Sequence, residues 1–137
     1  MVKYNTEKVL FYALVHDLVE VYAGDTPVFS PSKDLHTSKA QREKEAYSKI
    51  RTQFSDTDLH KFIYSYEHRV DKESKLVYSV DKVLPLLANV FDSGRQMQKE
   101  GITPRRMILQ KNANKVSESP IVSQYFNHLI AQLMKYV

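Results

Sequence analysis

Ala13-Leu14-Val15-His16-Asp17-Leu18-Val19-Glu20-Val21-Tyr22-Ala23-Gly24-Asp25-Thr26 is the stretch whose reading decides the fold. Without His16, Asp17, Glu20 and Asp25 it would be a greasy helix ending at a glycine. With them, three ionisable side chains stand inside an apolar run from Val9 to Ala23. Bare charge in apolar surroundings costs several kcal/mol or more, so such groups need a partner or a metal ion. A helix advances about 100° per residue. Glu20 lies four residues after His16 and three after Asp17, which predicts that all three project to one side, a turn apart. A neutral imidazole beside a carboxylate suits a divalent transition metal. A carboxylate one turn on can hold an attacking water or act as general base. Gly24 ends the helix as a C′ residue and sets Asp25 at the start of the next loop, near the same mouth.

The flanking sequence reads as helices throughout. Asn5 or Thr6 caps a helix expected to run unbroken to about Ala23. Gly24 to Thr37 reads as a loop, with Pro27, Pro31 and scattered Ser and Asp. Ser38-Lys39-Ala40-Gln41 resembles a capping box. The helix after it carries Ala46, Tyr47, Ile50 and Phe54 on one stripe. Lys39, Arg42, Lys44, Lys49 and Arg51 alternate with Glu43 and Glu45 and read as a solvated face. Ser55 and Asp56 open a further helix, with Leu59, Phe62, Ile63 and Tyr66 inward. Tyr64, Tyr66 and His68 look like the wall of a site, with packing the favoured reading. Gly94 to Gly101 reads as a linker. Thr103-Pro104 and Ser119-Pro120 each place a cap before a proline at the first helical position. The second of these opens an amphipathic last helix with Ile121, Val122, Tyr125, Phe126, Leu129, Ile130, Leu133 and Met134. Arg105 and Arg106 read as exposed. No strand alternation, repeat or second domain is evident.

A second greasy helix, Asp71 to Asp92, carries Leu76, Val77, Val80, Val83, Leu84 and Leu87 on its apolar face. Asp81 lies four after Val77 and three before Leu84, so it is expected to point with them. That makes it a second out-of-place carboxylate, whose obvious partner is a cation held by His16 and Asp17. Pro85 cannot donate to the Asp81 carbonyl, so a kink is expected there.

Composition sets the outer bounds. The 137 residues are enough for one domain with a real core, and the 42% hydrophobic fraction is that of a globular protein. There is no cysteine, which excludes disulfides and thiolate zinc sites. No apolar run is long enough to span a bilayer and no secretory signal opens the chain, so no membrane association and a cytoplasmic location are expected. The net charge of +4 suits a small anionic substrate. It is too diffuse to point to nucleic acid.

His16-Asp17 with Glu20, then Gly24-Asp25, then Asp81 in Val77-Tyr78-Ser79-Val80-Asp81-Lys82, resembles the HD-domain metal-dependent phosphohydrolases. The closer resemblance is to the 5′-deoxynucleotidase branch, over roughly Lys8 to Leu87. The resemblance implies an all-α, HD-domain-like helical bundle. It implies one divalent metal ion (Mn, Co, Fe, Ni, Zn or Mg), with His16, Asp17 and Asp81 as ligands. It further implies that Glu20 positions or activates water, that Asp25 supports the water or the substrate, and that the substrate is a nucleotide phosphomonoester. A phosphodiesterase or alarmone hydrolase of the same kind, or a non-catalytic module for oligomerisation or partner binding, are the alternatives. Family members carry another metal-binding His well before the HD pair, and no His precedes His16 here. The domain is therefore expected to be truncated at its N-terminus. His36, His60, His68 and His128 are not expected to substitute. The face left by the missing segment is expected to be apolar and to bring two copies together as a homodimer.

Overall fold

The computed structural model describes residues 2–26, 33–103 and 113–136. Their regular structure is helical, with no strand among the described residues. The helices are α1 (Thr6–Val15), α2 (Leu18–Ala23), α3 (Lys33–Thr37), α4 (Lys39–Gln53), α5 (Leu59–Glu67), α6 (Lys72–Phe91), α7 (Arg95–Glu100), α8 (Ala113–Val116) and α9 (Pro120–Leu133). They sort into two compact units, Asn5–Val70 and a second made of Met1–Tyr4 with Asp71–Val137.

In the first unit, α1 starts at Asn5, whose side chain accepts from the Lys8 amide at 3.1 Å. The unbroken helix expected to Ala23 is instead two helices, α1 and α2, separated by His16 and Asp17. The physical reason lies at Ala13. Its carbonyl, the i−4 acceptor for Asp17 in a continuous helix, receives Nδ1–H of His16 at 2.8 Å. Asp17 then adopts φ −100° and ψ 2°, and α2 restarts with the Glu20 amide donating to the Asp17 carbonyl at 2.9 Å. The core of this unit is Val15, Val19 and Ala23 from α1 and α2, Ala46 and Ile50 from α4, and Ile63 from α5. Phe11 and Phe62 close over it with ring centroids 4.1 Å apart.

Three boundaries in this unit differ from the sequence reading. A short helix, α3, lies within the segment read as loop, because Ser38 Oγ donates back to the Asp34 carbonyl at 2.6 Å. For the same reason Ser38 makes no side-chain cap to α4. Ser55 and Asp56 form a turn, and α5 begins three residues later, after Asp58.

The second unit is built on α6. Asp71 caps it: its Oδ1 accepts from the Ser74 amide at 2.8 Å, and Ser74 Oγ accepts from the Asp71 amide at 3.2 Å. The helix runs through Pro85 without interruption to Phe91. It buries Val77 and Leu86 together with Ser74 and Ser79. Val80 and Leu84, expected inward, are 40% and 54% exposed, so the buried face is turned away from the one the apolar pattern marks. The marked face, with Leu76, Val83 and Leu87, lines an apolar groove of about 400 Å³ whose other wall is Ile121, Tyr125 and Leu129. The segment read as a linker contains α7, bounded by Gly94 and Gly101, both in the left-handed conformation. Ser119-Pro120 opens α9 as expected, and Val122, Phe126, Ile130 and Leu133 are buried. Pro104, Arg105 and Arg106 lie outside the described residues.

Candidate metal centre

His16 and Asp17 converge because the helix breaks between α1 and α2. On a continuous helix neighbouring side chains diverge by about 100°. Here His16 Nε2 stands 3.1 Å from Asp17 Oδ2. A carbonyl can only accept, so the contact with Ala13 places the hydrogen on Nδ1 and leaves Nε2 facing the carboxylate. That backbone anchor on the far nitrogen is the arrangement that orients a metal-ligating histidine. Two donors about 2.1 Å from one ion and at right angles to each other lie about 3 Å apart. The 3.1 Å separation therefore fits a shared divalent ion. The His16 side chain is 26% exposed and that of Asp17 is 65% exposed, so the pair is open to an incoming ion. Behind it, the Tyr66 ring, 5% exposed, meets the His16 ring edge-on with centroids 6.0 Å apart.

Glu20 is half-buried in the first turn of α2. Gly24 ends that helix with φ +73° and ψ 146°, a conformation that glycine adopts without the strain a Cβ would bring. Asp25 follows it, exposed. Arg42, read as part of a solvated face, is bound to this turn. It donates to the carbonyls of Ala23 and Gly24 and to Thr26 Oγ1. The missed signal is positional. Arg42 precedes Ala46 and Ile50 by four and eight residues, and both of those are 1% exposed. It therefore begins the buried stripe of α4.

Asp81 belongs to the second unit. It was expected to be a buried charge whose partner is a cation; it is half-buried, and its Oδ2 lies 2.6 Å from Lys82 Nζ. The ammonium is also 5.4 Å above the Tyr78 ring. Asp81 thus has a protein cation beside it already. Among the described residues, no group of three or more His, Cys, Asp or Glu side chains is placed to hold a metal ion.

Beside α2 the first unit contains a cavity of about 230 Å³, lined by Val19, Glu43, Tyr47, Tyr64, Glu67 and His68. Tyr64 and His68, read from the sequence as packing in preference to a site wall, stack on each other at 4.0 Å and form part of this cavity's wall. Glu67 is exposed as a residue, but partial desolvation of its carboxylate at the wall of this cavity raises its pKa, and the like charge of Glu43 adds to the rise.

Residues 1–122 match the family model described as HD domain. The match spans most of the chain, and the chain belongs to the HD-domain family. Among solved structures it is similar to the crystal structure of a predicted metal-dependent phosphohydrolase from Magnetospirillum magnetotacticum MS-1. The TM-score is 0.76 at 22% identity, over 96% of this chain and 67% of that one. At this identity the likeness shows a shared fold. No curated protein matches the chain. No helix among the described residues is long and apolar enough to cross a membrane.

Proposed function

We propose that the chain is a metal-dependent phosphohydrolase acting on a nucleotide phosphomonoester, in the manner of a 5′-deoxynucleotidase. The observation that carries this reading is the approach of His16 Nε2 to Asp17 Oδ2 with Nδ1 anchored on a backbone carbonyl. Membership of the HD-domain family and a fold shared with a protein named as a phosphohydrolase support it. His16 and Asp17 would hold the ion. When bound, a divalent metal acidifies water and offsets charge on phosphate oxygens. Glu20, in the first turn of α2, orients the attacking water and accepts its proton. Asp25, beyond the glycine turn, supports the water or the sugar side of the substrate.

Self-association belongs to the same reading. Leu10, Leu14 and Val21, on α1 and α2, are 60%, 78% and 72% exposed. We propose that this apolar strip meets a second copy of the chain.

The test separates holding a metal from using it. Asp17→Ala is expected to lose bound metal and hydrolysis together. Glu20→Gln is expected to keep the metal and to lose kcat by about 10²- to 10⁴-fold. Full hydrolysis of a deoxynucleoside monophosphate by the Asp17→Ala protein would contradict the reading. A panel of nucleotide monoesters, diesters and pyrophosphates decides the substrate class.

A further inference from the structure

Arg42 reaches from α4 to the end of α2. Its Nη1 donates to the carbonyl of Ala23 and, at 3.2 Å, to that of Gly24. Its Nη2 donates to Thr26 Oγ1 at 2.6 Å. Behind the fork, Nε donates to Ser38 Oγ at 3.3 Å, and that hydroxyl donates to the Asp34 carbonyl at 2.6 Å. One guanidinium therefore grips the backbone before Asp25 and the side chain after it. Thr26 is only 7% exposed, so the far end of the grip is itself enclosed.

The turn needs such a grip. The last carbonyls of a helix have no amide of the helix to receive them, and a cation there also meets the negative end of the helix dipole. Gly24 turns the chain away at once, with φ +73°. A Cβ on Gly24 would meet Arg42 Nη1 at 3.6 Å, so the fork lies against the glycine itself. A guanidinium presents its donors in a fixed plane, and acceptors matched to it are held in direction as well as distance. An ammonium could replace the charge but could not reach all three acceptors at once.

We propose that Arg42 is a positioning residue that fixes the Gly24–Asp25 turn and so sets where the Asp25 carboxylate stands during hydrolysis. The inference rests on the role given to Asp25 above. A carboxylate displaced by about 1 Å costs on the order of 10²-fold in rate, so the grip has a kinetic reading distinct from its contribution to folding.

The experiment uses the metal-loaded protein with a deoxynucleoside monophosphate. It compares Arg42→Gln, Arg42→Lys, Asp25→Asn and the Asp25→Asn/Arg42→Gln double variant. Arg42→Gln is expected to lower kcat by about 10- to 100-fold, with KM and metal content within about twofold of the starting protein. Arg42→Lys keeps the charge at the helix end and the fold, and is expected to show the same kinetic loss. Added guanidinium ion is expected to restore part of the kcat of Arg42→Gln and none of that of Asp25→Asn. The double variant is expected to be no slower than Asp25→Asn, because a residue acting through another adds nothing once that one is gone. Amide hydrogen exchange at Asp25 and Thr26 is expected to quicken in both Arg42 variants. Losses that multiply in the double variant, wild-type kcat in Arg42→Lys, or full turnover by Asp25→Asn would each overturn the proposal. If the unsubstituted protein hydrolyses no phosphate ester, the functional reading fails by itself. Exchange then still reports the grip, and unchanged exchange at Asp25 and Thr26 would overturn that separately.

Discussion

His16 does two things with one ring. Its Nδ1–H occupies the Ala13 carbonyl at 2.8 Å and helps to end α1, and that ending lets Nε2 come within 3.1 Å of Asp17 Oδ2. The pair is visible in the sequence as an unlikely polar insertion in an apolar run. The break that makes it converge is not, since hydrophobic periodicity runs across it unchanged and only a side-chain hydrogen bond tips the balance. Arg42 escapes a charge-pattern reading for a related reason. Its neighbours in sequence alternate in sign, whereas its own register is that of Ala46 and Ile50. Glu67 is another residue whose environment the sequence does not give. Partial desolvation of its carboxylate, then Glu43, raises its pKa, against the opposing effects of Arg69, His68 and Lys39. The folded state thus binds its proton more tightly than the unfolded chain. That contribution to stability is present in full below the unfolded carboxylate range and is lost as pH rises through the raised value. Urea unfolding at a series of pH values is the check. The stability of Glu67→Gln relative to the unsubstituted protein is expected to improve as pH rises through and above the ordinary carboxylate range. A difference independent of pH would contradict this account of Glu67.

At the scale of elements, the signals read correctly are those with a local mechanism. Asp71 starts α6 with a reciprocal pair of hydrogen bonds to Ser74, and Ser119-Pro120 starts α9 with a proline whose missing N–H costs nothing at the first helical position. Asp71→Ala is expected to lower unfolding free energy by about 0.5–2 kcal/mol, measured by chemical denaturation, without changing metal content. The misread elements are those whose face or boundary depends on tertiary partners. The apolar pattern of α6 marks Val80 and Leu84, yet Leu86 is the residue at 0% exposure, because the groove with α9 leaves the marked face open. Likewise α7 is framed by two glycines that the sequence presents as a flexible segment. Their left-handed conformations cap a short helix instead. Ser38 matches the pattern of a cap, but its hydroxyl is drawn to Asp34 and to Arg42.

At the scale of the molecule, the all-helical class follows from helical periodicity and the lack of alternation, and it agrees with the HD-domain match. The division into two compact units had no marker in composition. The exposed strip of Leu10, Leu14 and Val21 gives the proposed self-association a direct test by sedimentation. A dimer is expected for the unsubstituted protein, weakened by Leu14→Glu, and a monodisperse monomer at high concentration would contradict it. The central claim is that His16 and Asp17 belong to a metal centre, and elemental analysis of the purified protein beside its His16→Ala variant tests it most directly. About one equivalent of a divalent transition metal is expected in the unsubstituted protein and none in the folded variant. Folded, unsubstituted protein that holds no metal even after incubation with Mn or Co would contradict it.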